Sequence, residues 1–346
     1  MKKALVTGCS GQDGSILTTY LINEYNYKVD GLVRRLSVPN RKNTTFFEKH
    51  KNFRFLEGDV EDSARVNQII NDGQYDEVYL LAAQSFVQYS FNNPVQSALT
   101  NYIGVINFVE AIRQHSPHSR VYFACTSEIM GGLNCPETGY TEEGPYHPRS
   151  PYGISKLASL WHCKNARDGY GLFVSNGILF NHTGEHRGIE FVSQKIATAA
   201  ANYYWSCEWG LDYDALQLGN LDARRDLGYA RDYVEIMHWM LQQDKADDFV
   251  IATGEAHSVR EMVESAFKHT GYTKMIRWEG SGIHEVGLDD NDKVVVCVSE
   301  KFFRPTDVPI LIGDITKAKN QLGWKPSVSF DEIFKRMVEN AIDSQH

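Results

Sequence analysis

Tyr152 and Lys156 stand four residues apart at the start of a helical pattern, which sets a phenol and an ammonium on one face with overlapping reach. A phenol of ordinary pKa, about 10, is a poor base at neutral pH until a nearby ammonium stabilises its phenolate. With 18 tyrosines in 346 residues, chance alone supplies about one Tyr-x-x-x-Lys pair, so the spacing needs support from its surroundings. That support is Thr126-Ser127-Glu128, where a predicted strand ends. Thr126 can hydrogen-bond a reacting hydroxyl, orient it and help pass its proton to Tyr152. Glu128 extends the chemistry. Dehydrogenating an alcohol needs only the phenolate, whereas eliminating water beside a ketone needs a base for the acidified C–H and an acid for the leaving hydroxide. One carboxyl can do both in turn; a glutamate capping a surface helix is the other reading of this residue.

A second constellation is Gly8, Gly11 and Gly14, with Gln12 and Asp13 inside it, between the apolar run Ala4–Thr7 and a helical Ile16, Leu17, Tyr20, Leu21 pattern. Glycines there let the backbone turn tightly and approach a pyrophosphate, while the helix N-terminus offers unpaired N–H groups and partial positive charge. The spacing is G-x-x-G-x-x-G, not the G-x-G-x-x-G of the general dinucleotide fingerprint. Near residue 33, where a carboxylate would hold the ribose of NAD, stand Arg34 and Arg35. Two guanidinium groups can bracket a 2′-phosphate, so NADP is preferred over NAD, against the plainer reading of a solvated basic turn. Asp59 could accept a hydrogen bond from an adenine amine or could simply form a Gly-Asp turn.

The elements that would position these groups are legible as an alternation. Apolar β-rich runs at Ala4–Thr7, Lys28–Val33, Phe53–Leu56, Glu77–Ala82, Val121–Cys125 and Phe173–Leu179 are separated by helix-length segments, the mark of parallel strands buried on both faces. Ala98, Tyr102, Val105 and Val109 form one helical stripe; Leu157, Leu160 and Trp161 form another. The expected fold is α/β, a doubly wound parallel sheet whose carboxyl edge carries the reactive groups, followed by a smaller C-terminal α/β lobe. Polar loops are expected at Glu208–Asp214 and Glu279–Asp292, and a closing turn and helix at Leu322–Pro326 and Phe330–Ile342.

Composition sets the outer limits. A length of 346 residues suits about two domains, or one large α/β unit with a smaller lobe. There are 35 basic and 44 acidic residues, net charge −9, and no basic run longer than Arg34-Arg35, so a nucleic-acid footprint is missing. No apolar stretch reaches the roughly 18 residues of a membrane span, and the N-terminus does not read as a signal peptide. Six cysteines with no C-x-x-C spacing suit a reduced cytoplasmic protein without a zinc site. His115 and His118 have metal-like spacing, but Pro117 between them argues for a turn, and no metal is expected.

The glycine turn, Thr126-Ser127-Glu128 and Tyr152/Lys156 together resemble the extended short-chain dehydrogenase/reductase superfamily. Longer strings narrow the resemblance: Leu81-Ala82-Ala83-Gln84-Ser85, Pro148-Arg149-Ser150-Pro151-Tyr152, Asn176–His182, Leu218-Gly219-Asn220-Leu221-Asp222-Ala223, Asp248–Gly254 and Phe303-Arg304-Pro305 are similar to the GDP-mannose 4,6-dehydratase family over nearly the whole chain. The resemblance implies a Rossmann domain at residues 1–180, with return segments from about 215–253, and a nucleotide-sugar-binding domain at 181–346. It implies NADP held by Gly8, Gly11, Gln12, Asp13, Gly14, Arg34, Arg35, Asp59, Val60, Leu81, Ala82, Ala83, Tyr152, Lys156, His182 and Arg187. GDP-D-mannose would be met by Ser85, Asn181, Lys195, Leu218, Gly219, Arg225, Arg304 and Asp307, and the assembly would be a homodimer or homotetramer.

Several positions depart from the family pattern. Thr183 stands for a usual Glu, His186 and Gln194 for arginines, Met130 for Tyr, Tyr229 for His and Asp307 for Glu. The arginine-rich loop that His186 alters is the one that reaches a neighbouring subunit's cofactor in the family. The expected reaction is conversion of GDP-D-mannose to GDP-4-keto-6-deoxy-D-mannose and water. Further reduction of the 4-keto product, a nucleotide-sugar 4-epimerase and a non-catalytic NADP-binding regulator are the alternatives.

Overall fold

The apolar runs of the first half become strands because they lack the polar alternation of a half-exposed sheet. In this computed structural model the residues described are 1–346 except 36, 38–40, 134, 303–307, 309 and 346. The chain runs through β1 (Lys3–Thr7), α1 (Gln12–Tyr25), β2 (Lys28–Val33), β3 (Phe53–Glu57), α2 (Ser63–Gly73) and β4 (Glu77–Leu80). Short helices α3 (Val87–Asn92) and α4 (Pro94–Ala98) pass through a π-helical turn at Leu99–Ile103 into α5 (Gly104–His115). Then come β5 (Arg120–Thr126), α6 (Pro151–Tyr170), β6 (Val174–Leu179), β7 (Asn181–Thr183), α7 (Val192–Trp209), β8 (Leu216–Leu218), β9 (Arg224–Tyr229), α8 (Ala230–Met240) and β10 (Asp248–Ile251). The rest is β11 (Ala256–Ser258), α9 (Val259–Lys268), β12 (Arg277–Glu279), β13 (Val286–Leu288), β14 (Val294–Val298), β15 (Ile310–Leu311), α10 (Thr316–Leu322) and α11 (Phe330–Asp343).

Seven strands form one parallel sheet in the order β10-β6-β5-β4-β1-β2-β3. Chain direction across the sheet reverses between β1 and β4, and a crevice opens at the carboxyl ends of those strands. Strands β4, β6 and β10 are buried at every residue, as strands covered by helices on both faces must be. One apolar cluster packs α2, α5 and α6 on one face, and a second packs α1 and α8 on the other. A third joins α7, α9 and α11 to two smaller sheets, β11-β9-β15 with β7 beside β9, and β12-β13-β14-β8.

Three expectations are corrected. The Ala98–Val109 stripe is not one helix: the π turn adds a residue to the winding and shifts the phase, so Val105 and Val109 are buried while Ala98 and Tyr102 are only half-buried. Trp161 faces outward at 55% exposure, although Leu160 beside it is fully buried. The segment 279–292 is not all loop; Val286–Leu288 pairs antiparallel with both β12 and β14, and Leu288 is buried. Non-local pairing stabilises that three-residue strand, which local patterning could not show. No helix among the described residues is long and apolar enough to cross a membrane.

Candidate active site

The crevice is built around Thr7, the last residue of β1. Its Oγ1 accepts from the backbone N–H groups of Leu81 and Ala82, at 2.9 and 3.0 Å, and donates to Tyr79 O at 3.2 Å. One hydroxyl therefore fixes the chain as it leaves β4 against the start of the glycine turn. Nothing in the spacing of the motif marks Thr7 for this task.

Gly8 follows with φ +68, a conformation that favours glycine, and a Cβ there would lie 3.1 Å from Ala82 Cα. Gly14 is tighter: a Cβ would fall 2.3 Å from Gly8 O and 2.8 Å from Cys9 Cα. Gly11 is the N-cap of α1 and brings no capping side chain, so the helix's first amides are left to a ligand. Gln12 donates through Nε2 to Asp13 Oδ1 at 2.8 Å, while its buried Oε1 has no hydrogen-bond partner among the described residues. A tightly wound glycine cradle, an uncapped helix N-terminus and an orphaned buried acceptor together fit the diphosphate and amide groups of a dinucleotide.

Asp13 is held by His182, whose Nε2 lies 2.9 Å from Asp13 Oδ2; Nδ1 of the same ring donates to Phe180 O at 2.8 Å. Burial raises the Asp13 carboxyl, but His182, Gln12 and the Arg187 charge outweigh it and bring the pKa to about 2. Arg34 and Arg35 are exposed just past β2. Asp59 follows β3, and its Oδ1 accepts from Glu61 N at 3.1 Å, the turn-forming role; Val60 is buried beside it. Leu81, Ala82 and Ala83 line the exit from β4, half-buried, and Ser85 beyond them is exposed.

Tyr152 occupies the first turn of α6, where Ser150 Oγ caps Gly153 N at 3.0 Å and Pro151 presets the entry. Thr126 ends β5 next to it. Burial raises the phenol; the hydrogen bond to Thr126 lowers it, the Glu128 carboxylate raises it and the Arg187 guanidinium lowers it. Glu128 sits in a one-turn helix, Ser127–Ile129, with its backbone N–H on Thr126 Oγ1 at 3.3 Å. At 7% exposure it does not face bulk solvent. Thr126, Glu128 and Tyr152 therefore meet at the carboxyl edge of the parallel sheet. Lys156 is buried one turn further along α6, and its Nζ donates to Ala124 O at 2.9 Å. Burial pushes it down from 10.5 to about 8. The Arg187 guanidinium is a further cation acting on the phenol, one that the sequence assigned to the cofactor alone.

The segment after β7 packs against α1 and the stretch that follows β2. His186 Nδ1 lies 3.0 Å from Ser15 Oγ, its ring stacks on Phe46 at 5.6 Å, and its carbonyl accepts from Asn43 Nδ2 at 3.0 Å. Arg187 lies 3.6 Å over the Phe191 ring. Thr183 is buried against Ser193 Oγ at 2.8 Å, Gln194 is buried near Thr198, and Tyr229 donates to Glu185. Met130 is fully buried in the core.

Of the expected substrate contacts, Asn181 opens β7 with a buried Oδ1 lacking a partner among the described residues. Lys195 Nζ donates to Gln217 O at 2.6 Å and lies 3.5 Å over the Phe302 ring; Leu218 ends β8 and Gly219 abuts Phe302. Arg225 donates to Val308 O at 2.6 Å. Lys195 and Gly219 thus meet at Phe302, while Arg225 lies on β9. Arg304 and Asp307 lie outside the described residues.

Comparison with known proteins is consistent with this geometry. The sequence model of the family described as GDP-mannose 4,6 dehydratase matches residues 5–337. A human protein named GDP-mannose 4,6 dehydratase is 43% identical over 349 residues, covering 98% of this chain and 91% of its own. One of that name from Sinorhizobium fredii (strain HH103) is 43% identical, covering 97% and 95%. Among solved structures, a dTDP-glucose 4,6-dehydratase from Bacillus anthracis in complex with NAD superposes with a TM-score of 0.80 at 21% identity, covering 100% of this chain and 98% of that one.

Proposed function

The chain belongs to the GDP-mannose 4,6-dehydratase family, and from that membership we propose that it converts GDP-D-mannose to GDP-4-keto-6-deoxy-D-mannose and water. The observation that carries this reading is the buried Glu128 carboxylate beside the Tyr152 phenol, because a carboxylate there serves elimination and has no use in simple alcohol oxidation.

The cofactor is a nicotinamide dinucleotide, and Arg34 and Arg35 at the end of β2 favour NADP. Gly8, Gly11, Gln12, Asp13 and Gly14 would hold its diphosphate, Asp59 and Val60 its adenine, and Leu81 to Ala83 the span between. Tyr152, Lys156, His182 and Arg187 would hold its nicotinamide half. When bound, the nicotinamide supplies the hydride acceptor and donor. Tyr152, bonded to Thr126, takes the proton of the mannose 4-hydroxyl. Thr126 orients that hydroxyl, and the Lys156 ammonium, with the Arg187 guanidinium, supplies the positive charge that favours the phenolate form of Tyr152. Once C4 is a ketone the C5–H is acidified; Glu128 takes that proton and delivers it to the 6-hydroxyl, which leaves as water. The resulting C5=C6 bond becomes the 6-deoxy product when C6 receives the hydride first taken from C4 and C5 a proton, which balances the one Tyr152 took from the 4-hydroxyl. Lys195 and Arg225, with Arg304, suit the diphosphate of the substrate by charge, and Ser85, Asn181, Leu218, Gly219 and Asp307 complete its site.

The assembly is read as a homodimer. Val95 at 71% exposure, Ile154 at 57% and Trp161 at 55% present an apolar face on α4 and α6, suited to pairing with a second copy. The family's inter-subunit loop region carries His186 and Gln194 in place of arginines, which favours the homodimer over the homotetramer.

The test is incubation with GDP-mannose and no added cofactor, followed by mass spectrometry for loss of one water. Glu128→Gln should keep nucleotide and substrate binding yet form no product; full activity in that variant overturns the role given to Glu128.

A further inference from the structure

The segment that carries Arg187 is a tight turn: Arg187 N donates to Gly184 O at 3.1 Å, which leaves Glu185 and His186 as the two central residues. Each central side chain is held from a different side. His186 bonds to Ser15 of α1 and stacks on Phe46. Glu185 is held from β9, where Tyr229, a position that departs from the family pattern, donates its hydroxyl to Glu185 Oε1 at 3.1 Å and Oε2 at 3.3 Å. The Tyr229 ring is itself fixed. A Cβ on Gly184 would lie 3.4 Å from its Cε2, and the Arg336 guanidinium of α11 lies over its face at 5.1 Å. Arg336 Nε in turn donates to Glu332 Oε1 at 2.9 Å. On the neighbouring strand Thr183 stands opposite Tyr229, buried, bonded to Ser193 Oγ and reaching Met337 Sδ of α11 at 3.5 Å. The start of the turn is therefore tied to α7, α11 and β9, and its second half to α1.

We propose that Tyr229 is a positioning residue: through Glu185 it holds the 184–187 turn where the Arg187 guanidinium faces the Tyr152 phenol. Without the Tyr229 hydroxyl the carboxylate loses its partner and moves toward water, and the turn moves with it. The titratable and charged groups that face the phenol are Cys125, Glu128 and Arg187, with Lys156 one turn along its own helix. Of these, only Arg187 rides on the turn. Withdrawing a unit charge from about 5 to about 7 Å at an effective dielectric of about 20 makes the phenol harder to ionise by about 0.5–1 pH unit. The inference rests on the dehydratase reading, since it needs Tyr152 to act as the base.

The experiment measures kcat and KM for water release from GDP-mannose between about pH 6 and 10, in wild type, Tyr229→Phe, Glu185→Gln and Glu185→Ala. Tyr229→Phe keeps the ring and every charge. The acid limb of its kcat profile should move up by about 0.5–1 pH unit. Below the limb kcat should fall about three- to tenfold; above it kcat should return to within about twofold of wild type, with KM changed less than about threefold throughout. Glu185→Gln and Glu185→Ala lose the same charge, but only the Gln side chain still accepts from Tyr229. The limb of the Ala variant should therefore lie about 0.5–1 pH unit above that of the Gln variant, and this pair carries the test should Tyr229→Phe fail to fold. A purely structural role would lower the folded fraction and leave the limbs coincident, Tyr229→Phe with wild type and Ala with Gln, and that result overturns the proposal. Wild type that releases no water from GDP-mannose overturns the dehydratase reading, and this inference with it.

Discussion

Lys156 offers a quantitative check on the site, because its burial should be visible in stability as well as in catalysis. Its side chain is 3% exposed, donates to Ala124 O and lies 5.0 Å over the Phe123 ring. Burial lowers its pKa from 10.5 to about 8, so the unfolded chain binds the proton more tightly than the folded one. The resulting cost is fully present below pH 8 and vanishes as pH rises past the unfolded value. At about 1.4 kcal/mol per unit, it amounts to about 3 kcal/mol at pH 7. Lys156→Met removes the charge together with its hydrogen bond to Ala124 O, whose loss costs about 1 kcal/mol, so the two effects partly cancel at any single pH. The pH dependence does not cancel. Between pH 7 and 9.5, wild type should gain about 2 kcal/mol over the Met variant. The assay is urea unfolding of nucleotide-stripped protein at both values; groups common to the two proteins drop out of the difference. A gap that changes by less than about 0.5 kcal/mol would refute the argument, since a lysine that keeps an ordinary pKa shows no such slope.

Three other perturbations test neighbouring parts of the site. Gly14→Ala puts a methyl 2.3 Å from Gly8 O, where only backbone could yield; it should lower stability by about 2–3 kcal/mol and release the bound nucleotide, measured by thermal unfolding and by absorbance of the purified protein. Replacing Arg34 and Arg35 together by alanine should weaken NADP binding at least about tenfold and spare NAD, as read by calorimetry; equal losses for both would remove the 2′-phosphate from their role. Trp161→Glu with Ile154→Glu places charge on the exposed apolar face and should convert a dimer to a monomer in sedimentation velocity without altering the circular dichroism spectrum.

Much of the site was legible because its signals are local. The glycine turn is set by positions three apart, and its tightness is visible in Gly14. Tyr152 and Lys156 share a helix face by spacing, and Thr126 ends, and Glu128 follows, a strand whose apolar run marks its own end. Parallel strands buried on both faces lose their alternation and are recognisable for that reason. What was missed depends on partners distant in sequence or on a local change of winding. Strand β13 exists through pairing on both sides, and the phase shift of the Ala98–Val109 stripe follows from the extra residue of the π turn, which hydrophobic periodicity averages away.

The same division explains the electrostatics. Spacing puts Lys156 and Tyr152 on one helix face but cannot say where either side chain ends. In the fold, Ala124 O takes the ammonium and a separate segment, arriving after β7, brings Arg187 toward the phenol. That segment is anchored to α1 by His182 on Asp13 and His186 on Ser15, the same helix whose N-terminus forms the dinucleotide cradle. Charge at the reacting phenol and closure of the glycine turn are therefore mechanically linked, since displacing residues 182–187 disturbs both. A substitution such as His182→Ala, which frees the Asp13 carboxylate in the glycine turn proposed to hold the dinucleotide, should consequently weaken nucleotide binding and slow the chemical step together. If titration calorimetry and single-turnover rates instead show one effect without the other, the two ends of the segment act independently and the linkage is wrong.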